Sequence, residues 1–222
     1  FASCSGEASK FMYGKAFETN KIFVLNNSVD TKKFEFNQNT RSAMRKEWNV
    51  AEDTFVVLHA GRFAPQKNHK SLILIFKEIL NQEPNSKLFL IGDGVLMEDT
   101  KQLVKTLELE NHVVFLGLRN NVYEFMSMAD CFIMPSIHEG LPIVAVEAQA
   151  SDLCLVLSNN ISKETKLADN VEFVNLDAPL ETWAKLALES KNHKRHSNCN
   201  LLKDLGFDKS SAIKIVEKLY SE

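Results

Sequence analysis

The run Ser136-Ile137-His138-Glu139-Gly140-Leu141-Pro142-Ile143-Val144-Ala145-Val146-Glu147-Ala148 places a carboxylate on each side of a Gly-Leu-Pro turn. It follows the apolar stretch Asp130 to Pro135, which reads as a buried strand. From Pro142 onward the Val, Ala and Glu content reads as a helix with proline in its first turn. The unpaired N–H groups and positive dipole end of such a helix suit a diphosphate. Glu139 and Glu147 would stand about two helical turns apart. One carboxylate can take hydroxyls of a sugar at the phosphate end, and the other can reach a ribose diol. Upstream, Arg62 and Lys67 follow the strand-like run Val56-Val57-Leu58-His59-Ala60-Gly61 and flank a loop holding Pro65. Two cations beside a departing diphosphate would stabilise the charge that grows as a glycosidic C–O bond breaks. Arginine brings a planar fork for phosphate oxygens and lysine a compact point charge.

Positioning these groups requires a sheet. Apolar β-type runs are expected to form strands at 22–25, 55–60, 87–91, 113–116, 131–134, 153–157 and 171–174. Helices are expected at 40–48, 69–81, 96–107, 122–127, 143–150, 162–167 and 180–189. Near-continuous Val, Ile, Leu and Phe strands separated by helices predict an α/β protein, a mostly parallel sheet covered on both faces in three α/β/α layers. Ligands of such sheets gather at the carboxyl ends of the strands. Gly61-Arg62, Gly92-Asp93-Gly94, Gly117-Leu118 and Glu139-Gly140 all fall at that edge.

Each residue also has a plainer reading. Glu139 could merely favour a helix dipole, worth up to about 1 kcal/mol. The two glutamates could be the acid and nucleophile of a glycosidase, an option the neighbouring phosphate-ready turn disfavours. Gly92 and Gly94 could form a tight turn, with Asp93 capping a helix. Gly117, Leu118 and Arg119 are candidates for a nucleobase wall, although Arg119 also reads as surface. His138 and His59 read as packing or hydrogen-bonding residues more readily than as catalysts. Neither G-x-G-x-x-G after the first strand nor a Walker A sequence is present, which disfavours NAD enzymes and P-loop phosphotransferases.

Taken together, the Glu139 to Glu147 pattern resembles the E-x7-E signature of the retaining glycosyltransferases of family 4, also called glycosyltransferase group 1, which have the two-domain GT-B fold. Gly61-Arg62-Phe63-Ala64-Pro65-Gln66-Lys67-Asn68 resembles that family's G-R-x4-K-[GN] segment. Leu88-Phe89-Leu90-Ile91-Gly92-Asp93-Gly94 and Val113-Val114-Phe115-Leu116-Gly117 follow the family's order. The continuations Glu147-Ala148-Gln149-Ala150 and Ile161-Ser162-Lys163-Glu164 look most similar to bacterial members that build capsule or exopolysaccharide. The resemblance implies a Rossmann-like C-terminal half that binds a nucleotide diphosphate sugar, UDP-sugar first among the candidates. It implies Arg62 and Lys67 on the phosphates, Glu139 on the donor sugar and Glu147 on the ribose. Gly61, Gly92, Gly94, Gly117, Leu118, His138, Gly140, Leu141, Pro142, Ile143 and Val144 would line the donor. It further implies a glycan or lipid-linked acceptor on a separate N-terminal domain, no metal, and front-face transfer with retention.

On that resemblance, residues 1–21 are expected to be a remnant of the N-terminal domain and crossover, 22–205 the nucleotide-sugar-binding domain, and 206–222 a C-terminal helix that packs back on the other half. The fragment alone is expected to be inactive. Asn26-Asn27-Ser28-Val29-Asp30 occupies the place of the family's N-G-[IV]-D turn, with Ser28 in place of glycine. The tail has a candidate N-cap at Asp208 and apolar positions at Ile213, Val216 and Leu219. An inactive nucleotide-sugar-binding module and a GT-B-shaped epimerase are the competing readings.

With 222 residues, 45% hydrophobic and 25% charged, the chain has the composition of a globular protein with one good core. A net charge of −3 gives no reason to expect nucleic acid as a partner. The basic run Lys191-Asn192-His193-Lys194-Arg195-His196 reads as a solvated helix end, with peripheral membrane contact as the alternative. No apolar stretch approaches the ~20 residues that span a bilayer. Cys4, Cys131, Cys154 and Cys199 lack C-x-x-C spacing, so neither a zinc site nor a disulfide framework is expected. Cys131 and Cys154 are expected to be buried and reduced. A cytoplasmic location follows, with the inner face of the membrane as the alternative.

Overall fold

The computed structural model describes residues 2–3, 6–14 and 23–221. Six strands form one all-parallel sheet: β3 (Phe55–Ala60), β4 (Ser86–Ile91), β5 (Val113–Gly117), β6 (Cys131–Met134), β7 (Cys154–Ser158) and β8 (Val171–Val174). Their order is β5-β4-β3-β6-β7-β8. The chain thus winds outward from β3 in one direction, returns to the centre at β6 and winds outward in the other. The switch point lies between β3 and β6, where Val57 pairs with Cys131 and Leu58 with Phe132. Two shorter strands, β1 (Ala2–Ser3) and β2 (Phe23–Val24), pair in parallel outside this sheet.

Burial on both faces explains why the central strands are continuous hydrophobic runs. Val56, Leu58 and Ala60 of β3 enter one apolar layer together with Phe89, Phe132, Met134 and Leu155. Phe55 and Val57 enter the other with Leu88, Leu90, Ile133 and Trp183. Successive side chains of a strand point to opposite faces, so both layers draw on every strand. Each fully buried Val, Leu, Ile or Phe contributes about 1.5–3 kcal/mol. Helices at Gln38–Glu47, Val122–Met128 and Ile143–Ala150 cover the first face, and those at His69–Gln82 and Leu180–Glu189 cover the second.

An ion cluster fixes the base of the sheet. Asp130, just before β6, accepts from Arg41 at 2.6 Å, from Arg45 at 2.9 Å and from the backbone N–H of Val56 at 2.8 Å. Arg45 is 1% exposed at its side chain, so this carboxylate neutralises a charge that water cannot reach.

Strand and helix boundaries agree with the sequence expectations to within one or two residues in most places. The expected helix at 162–167 is instead a single 3-10 turn, Lys163–Thr165. There the buried Gln149 side chain accepts from the N–H groups of Leu167 and Ala168 and donates to Thr165 O, holding the segment in a non-helical path. Helices at Gly6–Tyr13, Thr31–Phe34 and Cys199–Asp204 were not anticipated. Ser28 in the linker turn is not among the residues with positive φ. This turn therefore does not need glycine. The turn is joined to the tail, since Val29 N–H donates to Phe207 O at 2.8 Å and Lys209 N–H to Val29 O at 3.1 Å. Asp208 accepts from Ser210 N–H at 2.8 Å, as expected of a cap. Ile213 is 57% exposed on the Lys209–Ser221 helix. Cys131 is buried and Cys154 only half-buried, which corrects the expectation for the second; both are free. Phe1, Cys4 and Ile22, and the side chains of Leu219 and Tyr220, lie outside the described residues.

Candidate active site

The sheet brings the four motifs to one edge. Gly61 follows β3, Gly92 follows β4, Gly117 ends β5, and Glu139 lies beyond β6. Hydrogen bonds chain them together at the switch-point edge: Gly61 N–H donates to Ile91 O at 2.9 Å and Gly92 N–H to Gly117 O at 2.9 Å. A crevice at the carboxyl ends of strands flanking such a switch point is where open α/β sheets bind ligands.

The phosphate-side loop is built from its own sequence. Pro65 opens a 3-10 turn, Pro65–Lys67, and Asn68 adopts a left-handed conformation (φ 55°) before the His69–Gln82 helix. Asn68 serves two neighbours, its Oδ1 accepting from Ser71 N–H at 3.4 Å and its Nδ2 donating to Pro135 O at 3.1 Å. Ile137 N–H donates to Gln66 O at 2.8 Å, and Gln66 Nε2 donates to His138 O at 2.7 Å. The loops after β3 and β6 are thereby joined across the crevice.

Lys67 and Glu139 meet there. Lys67 Nζ stands 2.7 Å from Glu139 Oε1, with the two side chains only 17% and 12% exposed. The contact is an ion pair without hydrogen-bond alignment. Glu139 is not on a helix. Its backbone forms a parallel bridge with Ile161, and its carbonyl accepts from Ser162 N–H at 3.0 Å. Arg62 is exposed and its side chain has no hydrogen bond or ion pair among the described residues, so its guanidinium is free for an anion.

Behind this loop sit two neutral histidines. His59 is wholly buried, and its Nδ1 lies 2.8 Å from Ile133 O of the adjoining strand, so Nδ1 carries the proton. His69 stacks on Phe63 at 4.0 Å and meets His59 edge-on at 4.9 Å. Burial, with His69 and Lys67 adding repulsion, lowers His59 to about 3. Burial and Lys67 lower His69 to about 4. Neither imidazole is charged at neutral pH, which fits the packing reading of His59.

Across the crevice, Pro142 is the N-cap of the Ile143–Ala150 helix rather than a residue of its first turn. The first-turn N–H groups of Ile143 and Val144 have no intrahelical acceptor. Ile143 is 46% exposed, as a ligand-facing position would be. Leu141 and Val144 pack on the core, Gly140 and His138 are exposed, and Leu118 is 79% exposed beyond β5. Glu147 is half-buried on the same helix. Burial pushes its carboxyl up to about 7, against the opposing pull of Lys33.

Gly92 and Gly94 do something the sequence left open. Gly92 has φ 138°, and a Cβ there would lie 2.0 Å from Gly61 O; Gly94 has φ 155°, and its Cβ would lie 2.5 Å from Phe63 O. Their close approach is to the protein's own phosphate-side loop. Lys33 and Asn160, whose carbonyl accepts from Glu139 N–H at 3.4 Å, lie outside the motifs, and the bonds that Gln66, Asn68 and Ile161 make around the site were not anticipated. Asn68 just before an apolar periodic run was a legible N-cap signal, whereas the others are joined only by tertiary contact. Among the described residues no three His, Cys, Asp or Glu cluster as metal ligands. A concavity of about 320 Å³ between Phe36, Arg41 and Arg195 lies by Asp130, at the opposite end of the strands. Its guanidiniums are already bonded to backbone carbonyls, so the chemistry points to the crevice.

Known proteins are similar to this chain in sequence or in fold. EpsF of Bacillus subtilis (strain 168) is 29% identical over 224 residues, which cover 99% of this chain and 58% of EpsF. The UDP-Gal:alpha-D-GlcNAc-diphosphoundecaprenol alpha-1,3-galactosyltransferase of Escherichia coli is 29% identical over 209 residues, 90% of this chain and 54% of that protein. The chain therefore spans little more than half the length of these relatives. In fold it is similar to Anabaena Alr3699/HepE in complex with UDP, with a TM-score of 0.79 and 24% identity over 100% of this chain and 63% of that one. It is also similar to the C-terminal domain of the group 1 family protein LpcC from Francisella tularensis, with a TM-score of 0.64 and 18% identity over 80% of this chain and 97% of that one. The sheet is thus the Rossmann-like half of a GT-B fold. The family model described as Glycosyl transferases group 1 matches residues 40–175, spanning all four crevice motifs, and this chain belongs to that family.

Proposed function

We propose that this chain is the donor-binding half of a retaining glycosyltransferase that uses a nucleotide diphosphate sugar, UDP-sugar first among the candidates. The observation that carries this reading is the meeting of Arg62, Lys67, Glu139 and the first turn of the Ile143–Ala150 helix at the β3/β6 switch point. The complex of the Anabaena protein with UDP supports the choice of base. Residues 22–205 form the nucleotide-sugar domain in this reading, residues 1–21 belong to the crossover, and 206–222 are the helix that returns to an acceptor-binding half. The C-terminal domain of LpcC supports that division.

Arg62 and Lys67, with the N–H groups of Ile143 and Val144, hold the diphosphate and stabilise the charge it gains as its bond to the anomeric carbon breaks. They do the work of a metal ion, and the reaction requires none. Glu139 orients the donor sugar by its hydroxyls and Glu147 the ribose. An acceptor hydroxyl attacks the same face from which the phosphate departs, its oxygen bonding to the anomeric carbon while its proton passes to the leaving phosphate oxygen. The product keeps the donor's anomeric configuration. The acceptor is a glycan or lipid-linked glycan presented by the other half at the cytoplasmic face of a membrane, in surface-polysaccharide synthesis. The name of the Escherichia coli relative supports a diphospholipid acceptor.

The test is calorimetry of this chain with UDP, GDP and ADP, repeated with Arg62→Ala and Lys67→Ala. UDP is expected to bind, and both variants to weaken it by about tenfold or more while leaving uridine nearly unaffected, since each charge-assisted contact is worth about 1.5–3 kcal/mol. Absence of binding by all three nucleotides at millimolar concentration, or equal loss for UDP and uridine, would overturn the assignment.

A further inference from the structure

We infer that Lys33 is a positioning residue for the ribose end of the donor, a fixed positive charge that keeps Glu147 the acceptor of the two ribose hydroxyls. The inference rests on the nucleotide reading above and adds a residue that none of the motifs contains. Lys33 is carried on the short helix Thr31–Phe34, directly after the linker turn. Asp30 caps that helix by accepting from the backbone N–H of Lys33 at 3.2 Å. Both ends of the helix, Thr31 and Phe34, are buried, which anchors the backbone that carries the exposed Lys33 side chain. The Phe34 ring meets Tyr123 edge-on at 6.3 Å, and Lys33 Nζ stands 4.9 Å from the centre of the same Tyr123 ring. A cation over an aromatic face is held there by the ring's quadrupole. The Thr31–Phe34 helix also packs against the Ile143–Ala150 helix, which carries Glu147.

A half-buried carboxylate needs such a charge. Burial favours its protonated form, in which one oxygen becomes a donor and the group accepts from two hydroxyls less strongly than a carboxylate does. Other charged groups stand on the elements around Glu147. Lys32 precedes Lys33, Glu124 accepts from the Asn121 side chain, Lys67 and Glu139 pair with each other, and Glu164 and Lys166 lie on the segment held by Gln149. Lys33 stands on the helix that packs against the one carrying Glu147, and its charge favours the ionised carboxyl. The direction is clear: Lys33 opposes the effect of burial.

The experiment measures UDP affinity by calorimetry from pH 6 to pH 9 for the wild-type chain and for Lys33→Met, Lys33→Arg and Lys32→Met, with 2′,3′-dideoxyuridine diphosphate as the second ligand. Wild-type affinity for UDP is expected to fall as pH drops through about 7. In Lys33→Met that fall should begin at higher pH, costing about two- to fivefold at pH 7 and about three- to tenfold at pH 6, the effect of half to one pH unit of displacement. By pH 9 the loss should vanish. Lys33→Arg should restore the wild-type profile, and Lys32→Met, which removes the same charge one residue away, should not disturb it. The dideoxy ligand should respond to none of these changes. An equal loss at every pH, or an equal loss for the dideoxy ligand, would overturn the inference and assign Lys33 to direct contact or to folding. If wild-type UDP binds and Glu147→Gln weakens it while Lys33→Met leaves the pH profile unmoved, the inference fails and the nucleotide reading stands. If UDP does not bind at all, both fail together.

Discussion

Lys67 and Glu139 neutralise each other across 2.7 Å, so a diphosphate in the crevice would compete with a carboxylate for the lysine. Removing that competitor should not harm nucleotide binding. Glu139→Gln is therefore expected to bind UDP as well as the wild type or somewhat better, while lowering sugar transfer in the two-domain enzyme, where the proposed reading assigns it to the sugar. Calorimetry with UDP and turnover assays separate the two effects. A loss of UDP affinity as large as that of Glu147→Gln would refute the division of labour. Glu147 makes a different prediction, on stability. Its folded carboxyl titrates near 7, against an ordinary value of 4.5. Between those values the unfolded chain has already released a proton that the folded one retains. The carboxyl's contribution is therefore present below about 4.5 and is lost as pH rises through about 7. Glu147→Gln removes this loss. Relative to wild type the variant should gain on the order of 1–3 kcal/mol between pH 5 and pH 8, toward the lower figure because the group retains some solvent contact. Urea unfolding at the two pH values measures it, and a difference of the opposite sign would refute the burial argument.

The elements that place these groups were legible where one local signal governed them. Strands 55–60, 131–134 and 171–174, and helices 143–150 and 180–189, stand at their expected limits because apolar runs and helical periodicity both fit the burial they receive. The 3-10 turn at 163–165 was read as helix because its conformation is imposed by Gln149, a residue fourteen or more positions away that no local pattern exposes. The Thr31–Phe34 helix is too short to show a period. In the site, Arg62, Lys67, Glu139 and Glu147 were visible from motif spacing. The Lys67–Glu139 contact and the partners of Gly92 and Gly94 depend on how two loops pack, which spacing does not encode. Those glycines give an element-scale prediction. Gly92→Ala would drive a Cβ to 2.0 Å from Gly61 O in a strained backbone, and should cost at least about 2 kcal/mol and weaken UDP binding by displacing the Gly61 loop. Gly140→Ala meets nothing within 4 Å and has no positive φ, and should stay within about 0.5 kcal/mol of wild type. Thermal unfolding of the pair checks the contrast, and equal stability of both variants would show that the loop yields freely.

At the scale of the whole molecule, one polypeptide carries the candidate crevice and also a turn at Val29 that is bonded to its own tail. Val29 pairs with Asp208, and Thr31 Oγ1 donates to Asp208 Oδ2 at 2.7 Å, so the turn that would lead from another domain and the helix that would return to it leave the body side by side. The exposed Ile213 on that helix, and Val95, Leu118 and Ile137 on the loops beyond the strands, are apolar surface of the kind that partner domains cover. In the proposed reading the crevice, at the open edge of the sheet, would hold a nucleotide but would not by itself enclose a sugar and an acceptor together. Transfer needs both reactants fixed and water excluded. Purified alone, the chain is expected to bind UDP and to gain thermal stability from it by mass action, about 2.7 kcal/mol at a hundredfold excess over Kd. It should nevertheless transfer no sugar, and should hydrolyse UDP-sugar no faster than buffer does. Mixing it with a separately purified acceptor-binding half should restore activity, with a rate that rises with the concentration of that half. The checks are a melting curve with UDP and product analysis with radiolabelled donor. Transfer by the isolated chain at the rate of the two-domain enzyme would show that the crevice closes on its own and would refute this account of the division between halves.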